Sequence, residues 1–270
     1  MALRGSDILG VAVLTALALC PATVTAQSGL NASEFGKYWR VESESPYYQV
    51  TFSGDTCELT APKGLTLWRK DKMRADSEVE YDVQVVVEPS ARHRGETEWG
   101  DRLSDMNCFW LASDPGAKDI WTRMGWRNGI FTRCYTLQTY YLGYGGNHNT
   151  TTRFRRYTGD ARGVDSIGHR PPVLTEYTDS DHLLRPNHWY HVRLSTVGGR
   201  TKMFVDDECI VSYLDPEPMQ SGWFGFRTTL SRTRITNFRW RQIESPSIQT
   251  GVPLHWVCRM PDAPRPVTLG

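Results

Sequence analysis

The sequence predicts an all-β protein, a sandwich of two antiparallel sheets. Three observations carry that prediction. Apolar and polar residues alternate with period two in many short runs, no window offers a long amphipathic helix, and turn residues fall between the runs. A chain of 270 residues suits a single large β domain and is long enough to bury a core without disulfides.

Taken in order, residues 1–26 read as a secretory signal peptide: Arg4, an apolar run from Ile8 to Cys20, then Val24-Thr25-Ala26 at the cleavage positions. The apolar run is short for a membrane span and no second one follows, so an exported chain beginning near Gln27 is expected, with no membrane partner. Strand patterns then run through 48–52, 78–87, 191–195, 202–205, 209–213 and 234–240. Ser53-Gly54-Asp55, Asp114-Pro115-Gly116, Arg127-Asn128-Gly129, Val197-Gly198-Gly199 and Asp215-Pro216 supply the turns. Residues 88–105 and 159–187 read as long polar loops, of the kind that is functional or disordered. One domain over residues 33–243 and an irregular, proline-bearing tail over 244–270 are therefore expected.

Charge excludes some functions. Lys and Arg total 31 against 30 Asp and Glu, which argues against a dedicated nucleic-acid binder. Six cysteines less Cys20 leave Cys57, Cys108, Cys134, Cys209 and Cys258, and export makes disulfide pairing the expectation, with one thiol left over. Asn31-Ala32-Ser33 and Asn149-Thr150-Thr151 are N-glycosylation acceptors by pattern. There is no CxxC pair, no Gly-x-Ser-x-Gly elbow and no phosphate-binding glycine pattern.

The stretch from Trp121 to Asp160 concentrates Trp, Tyr, Arg and Asn on what reads as consecutive strands. Aromatic faces beside guanidinium and amide donors suit a polyhydroxylated, anionic ligand such as an acidic sugar. Tyr140, Tyr141, Tyr144, Asn147, His148 and Arg153 form the best candidate site, with His148 or Tyr141 in proton roles and Arg153, Arg155 or Asn147 stabilising enolate-like charge. Trp121, Arg123, Trp126 and Arg127 would extend a groove, and Arg133 and Tyr135 would alternate on the next strand beside Tyr141. The competing reading is ordinary aromatic packing around a Gly145-Gly146 turn. Glu78, Glu80 and Asp82 share one strand face, the spacing of paired glycosidase carboxylates or of a solvated outer face. His188 and His191 flank Trp189-Tyr190 on an ordinary strand edge, and Asp179, Asp181 and His182 could hold a structural calcium; no other cofactor is expected.

The C-terminal cadence Asn187-His-Trp-Tyr-His-Val-Arg-Leu194, Lys202-Met-Phe-Val-Asp-Asp207, Gly222-Trp-Phe-Gly-Phe-Arg227 and Ile235-Thr-Asn-Phe-Arg-Trp240 resembles the final strands of concanavalin A-like jelly rolls. Thr139-Tyr-Tyr-Leu-Gly-Tyr-Gly-Gly-Asn-His148, continuing to Arg156, is similar to a family of secreted jelly-roll proteins that accompany pectin and rhamnogalacturonan degradation. The resemblance implies a jelly-roll domain over 33–243 and a saccharide ligand. The paired acidic motif of the jelly-roll glucanases and the Gln-x-His strand of alginate-lyase relatives are missing. The expected function is a secreted, monomeric carbohydrate-active enzyme, a polysaccharide lyase before a glycoside hydrolase. The alternatives are a lectin-like binder without catalysis and an exported small-molecule cyclase or isomerase.

Overall fold

The computed structural model describes residues 27–88, 102–159 and 170–243. The signal-peptide reading, His93, His169, Cys258 and the tail fall outside the described residues.

Sixteen strands follow in order: β1 Gln27–Ser28, β2 Trp39–Ser43, β3 Gln49–Ser53, β4 Thr56–Ala61, β5 Leu65–Arg69, β6 Met73–Arg74, β7 Ser77–Val86, β8 Met106–Ser113, β9 Gln138–Gly145, β10 Thr151–Thr158, β11 Val173–Tyr177, β12 Trp189–Val197, β13 Arg200–Val205, β14 Glu208–Leu214, β15 Ser221–Thr228 and β16 Ser231–Gln242. They form two eight-stranded sheets. The first runs β14-β13-β12-β7-β16-β4-β3, with β1 beside β16; the second runs β11-β10-β9-β8-β15-β5-β2, with β6 beside β15. Every pairing is antiparallel, which fits the alternating sequence pattern, since antiparallel sheets bury one face and leave the other to different uses.

Leu59, Val79, Tyr81, Val83 and Ile235 from the first sheet meet Leu67, Cys108, Trp110, Tyr140, Leu142 and Phe224 from the second in one buried cluster. The outer face of the first sheet carries an ion-pair ladder. Glu78 faces Arg241, Glu80 faces Arg239, and Asp82 takes His191 and Asn237. The carboxylates of β7 are thus a cross-strand charge ladder on the wall away from the second sheet. Ile235 and Phe238 both point inward although three residues apart. A β-bulge between Thr236 and Arg239, with Asn237 at φ 54°, absorbs the parity error and keeps Arg239 and Arg241 on the ladder face.

The outer face of the second sheet is not bare. Residues 114–137 fold over part of it as a lobe, where the sequence pattern predicts strands. The lobe holds a short helix, α1, Met124–Arg127, and a 3-10 helix over Phe131–Thr136, so Arg133 and Tyr135 lie on no strand. Asn128 ends α1 in the left-handed region at φ 46°, a role asparagine tolerates. Buried salt bridges then tie the lobe down. Arg127, fully buried, pairs with Glu42 of β2 and with Asp114. Trp68 Nε1 donates to Glu42 Oε2 at 3.1 Å. At Gly129 the lobe backbone touches the β4–β5 turn so closely that a Cβ would sit 2.4 Å from the Gly64 carbonyl oxygen, and φ is +70°. Only glycine fits there. Under the lobe a second buried cluster forms from Trp68, Phe109, Tyr141, Tyr157 and Trp223 against Ile120, Cys134, Tyr135 and Leu137.

The disulfide expectation is corrected for the described cysteines: Cys57, Cys108, Cys134 and Cys209 are free thiols. Cys57 and Cys108 are spent in the inter-sheet core and Cys134 in the cluster under the lobe, while Cys209 is exposed on β14. Burial pushes the Cys57 and Cys108 thiols up to about 12 and Cys134 up to about 11, which leaves them protonated and inert. No helix among the described residues is long and apolar enough to cross a membrane.

Candidate functional site

Beside the lobe, the uncovered part of the second sheet's outer face is a cleft of about 270 Å³. Strand parity selects its floor. On β10, Phe154 turns into the inter-sheet core, so Arg153, Arg155 and Tyr157 line the cleft at every second residue. On β9 the same rule puts Tyr141 and Gly143 in the cleft but sends Tyr140 and Tyr144 into the core. Asn107 comes from β8 and Arg227 from β15, where Phe224 and Phe226 take the inward parity. The lobe adds Phe131 and Tyr135 as one wall; Glu44, Arg102, Asp105 and Arg170 complete the rim.

Among the described residues, five arginines therefore face two carboxylates in the lining. Asp105 is occupied: Arg102, Ser104 and the Asn107 amide nitrogen all donate to it. Arg153 pairs with Glu176 across β11 at 2.6 Å. Arg155 and Arg227 are different. Arg155 donates to the Pro171 carbonyl, and Arg227 to Thr66 Oγ1 and the Gly129 carbonyl; neither has a carboxylate partner among the described residues. Both are buried, at 9% and 4% exposure, and buried guanidinium groups without a counter-ion are rare. Three neutral polar atoms of the lining share their situation. Asn107 Oδ1 and the hydroxyls of Tyr157 and Tyr135 are buried with no hydrogen-bond partner among the described residues.

The tyrosines are held neutral. Burial pushes the Tyr141 phenol far up, Asp105 adds to it, and Arg227 only partly opposes. Burial likewise raises Tyr157 and Tyr135, with Arg170 and Arg155 working against it at Tyr135. Such a phenol is a proton donor or hydrogen-bond donor rather than a phenolate. Glu44 is exposed at the rim, and its carboxylate has no partner among the described residues. The cleft can accept an anion with two guanidinium groups, donate from tyrosine hydroxyls, and offer one free carboxylate as a base.

Of the residues singled out in the sequence, Tyr141, Arg153, Arg155, Tyr135 and Asn147 line this cleft. His148 does not. It sits exposed on the turn over Gly146–Asn149, with Asn147, His148 and Asn149 all at positive φ. Trp121 packs edge-on against Trp223 under the lobe. Arg123 pairs with Asp114, and Arg133 donates to the Trp126 carbonyl at 2.7 Å. Those three hold the lobe together and are not among the lining residues. Asn31 and Asn149 have engaged amides: Asn31 contacts Glu34, and Asn149 clamps Leu184 through both its oxygen and its nitrogen, at 2.7 and 2.8 Å. Asp179 does not gather ligands with Asp181 but binds His182 at 2.6 Å, and no group of three metal-ligating side chains is found among the described residues. Arg227, Asn107, Asp105 and Glu44 were not singled out as site residues. Arg227 carried a signal, since it has the opposite parity to Phe224 and Phe226 on one strand.

No curated protein matches the chain. Among solved structures, it is similar to a Bacillus subtilis protein of unknown function with a galectin-like fold, at 15% identity, TM-score 0.57, 78% of this chain and 92% of that one. A native glycosidic hydrolase matches at 10% identity and TM-score 0.50, with 82% and 95% covered. The exoplasmic/lumenal domain of VIP36, in a Ca2+/Man3GlcNAc-bound form, matches at 12% identity and TM-score 0.50, with 80% and 87% covered. These likenesses establish the concanavalin A-like jelly-roll sandwich. A family described as domain of unknown function DUF6250 matches residues 59–238, two-thirds of the chain, and the protein belongs to that family.

Proposed function

We propose that the protein is an exported carbohydrate-active enzyme that binds an acidic saccharide in the cleft beside the lobe and cleaves it by β-elimination. One observation carries the binding half: among the described residues Arg155 and Arg227 are buried without a carboxylate partner, and Asn107 Oδ1 and the Tyr157 hydroxyl beside them are without a hydrogen-bond partner. A uronate carboxylate and its neighbouring hydroxyls would satisfy all four, since guanidinium groups bind carboxylates through charge-assisted bonds. The fold is shared with proteins described as a glycosidic hydrolase and as a mannose-oligosaccharide complex, which agrees with a sugar ligand.

The chemistry follows from what the cleft contains. Hydrolysis with two carboxylates would need Asp105, which three donors already hold. Elimination needs one base. Glu44 takes the proton from C5 of the uronate, the guanidinium groups stabilise the enolate-like charge, the C4–O4 bond breaks as a C4–C5 double bond forms, and neutral Tyr141 gives its proton to the leaving O4. His148, expected in a proton role, has no place in this sequence of events because it lies outside the lining.

Incubation with a panel of oligosaccharides that contain glucuronic or galacturonic acid, alone or alternating with neutral sugars, followed by ultraviolet absorbance of the unsaturated product and by calorimetry, tests both halves. The expected result is product formation by the parent, loss of it in Glu44→Gln and Tyr141→Phe, and at least ten-fold weaker binding in Arg155→Ala, as for a charge-assisted bond of about 1.5–3 kcal/mol. Binding without unsaturated product would make the protein a lectin-like binder instead. No binding of any acidic saccharide would overturn the reading whole.

A further inference from the structure

A second hollow adjoins the cleft, and Glu44 lines both. It measures about 380 Å³ and lies between the run from Val41 to Pro46, the exposed ring of Tyr48, and α1 of the lobe. Its charge is opposite in kind to that of the cleft. Among the described residues no arginine or lysine lines it, and its only carboxylates are Glu44, without an ion-pair partner, and Glu42, neutralised from behind by Arg127. A sugar carboxylate placed here would meet the like charge of Glu44 with no cation in the lining to receive it. What the hollow does offer is a tyrosine face, the exposed Asn128 side chain and the carboxylate edge of Glu44 as an acceptor for hydroxyl groups.

We propose that this hollow is a second sugar subsite, selective for a unit that lacks a carboxylate. Resting on the acidic-saccharide reading above, it makes the ligand an oligosaccharide in which a uronate is followed by a neutral sugar, rather than a run of uronates. The bond between the two units then crosses Glu44, the one group common to both compartments. The cleft supplies charge recognition and the hollow supplies discrimination: like-charge repulsion rejects a homopolyuronate at the second position even when its first unit fits.

The experiment compares two tetrasaccharides that differ only in carboxylates, one alternating glucuronic acid with glucose and one of glucuronic acid throughout, with free glucuronic acid as reference. Titration calorimetry is run on the whole protein and on two variants. Gly125→Leu fills the hollow from α1, where a Cβ would meet nothing within 4 Å, so it is expected to fold. Tyr48→Ala removes the stacking face. The expected result is at least ten-fold tighter binding of the alternating tetrasaccharide than of the all-uronate one. The alternating ligand's advantage over free glucuronic acid should fall at least ten-fold in both variants. Equal affinity for the two tetrasaccharides, or an advantage unmoved by Gly125→Leu, overturns the subsite while leaving acidic-saccharide binding in place. Failure of all three acidic ligands to bind overturns both readings together.

Discussion

Tyr157 occupies a position costly for a hydroxyl. It is fully buried, ringed by Phe109, Tyr135 and Tyr141, and its hydroxyl has no hydrogen-bond partner among the described residues. A buried hydroxyl without a partner costs about 1–3 kcal/mol, so selection for packing alone would place phenylalanine there. Tyr157→Phe should therefore leave thermal stability unchanged or raise it, while weakening acidic-saccharide binding several-fold. A drop in melting temperature with unaltered binding would show the hydroxyl to be structural. At this scale the sequence was legible only in part. Tyr141 could be picked out from its neighbours Tyr140 and Tyr144 only once strand parity was fixed, because all three have identical chemistry and alternate faces. Arg155 could be named from the sequence as a charge-stabilising candidate and Arg227 showed only its strand parity; that neither has a carboxylate partner among the described residues is a property of their surroundings.

Among the elements, strands were readable and the lobe was not. Period-two alternation marks β7, β12, β13, β14 and β16 because each buries one face, and Ser53-Gly54-Asp55 and Val197-Gly198-Gly199 mark real turns. Residues 121–136 carry aromatic and arginine residues at similar spacing, but for another reason: they cover a sheet instead of joining it, and the ties that decide this come from Glu42 and Gly64, distant in the chain. The segment after β11 shows how such distant ties respond to pH. His182 stacks on Tyr177 with ring centroids 3.9 Å apart and bridges Asp179 and Glu208. Partial burial lowers its pKa, but the two carboxylates more than offset this, and the net shift is upward from 6.5. A raised folded-state pKa means the latch contributes fully below about 6.5 and is lost as pH rises through the higher folded value. Hydrogen exchange of the amides over 177–184, corrected for its intrinsic pH dependence, should show protection falling on that alkaline side. His182→Gln should remove the dependence; persistence of it in the variant would reject the latch.

For the molecule as a whole, the two buried clusters make different demands. The inter-sheet core is contributed by strands alone, whereas the cluster under the lobe exists only while Asp114, Glu42 and Arg127 hold the lobe in place. Asp114→Ala removes one of the two carboxylates from a fully buried guanidinium, a change that costs about 3–5 kcal/mol when a buried pair is broken. Denaturant unfolding should record a loss of that order, and the cleft, which borrows Phe131 and Tyr135 from the lobe, should lose saccharide affinity with it. Loss of less than about 1 kcal/mol would place the lobe's anchorage elsewhere. Composition foretold none of this, because near-balanced charge over the chain conceals five arginines against two carboxylates among the described residues of one cleft.

Pairing of β1 with β16 sets Gln27 opposite Trp240 on the first sheet, whereas the cleft opens on the far side of the second. A linker fixed to Glu80 or Arg239, on the ladder face of the first sheet, would leave from the side of the sandwich opposite the cleft. A surface tether at either point thus orients the molecule with its mouth toward the solution. Long, stiff glycan strands could then be presented to an immobilised layer of the protein without the support obstructing their approach.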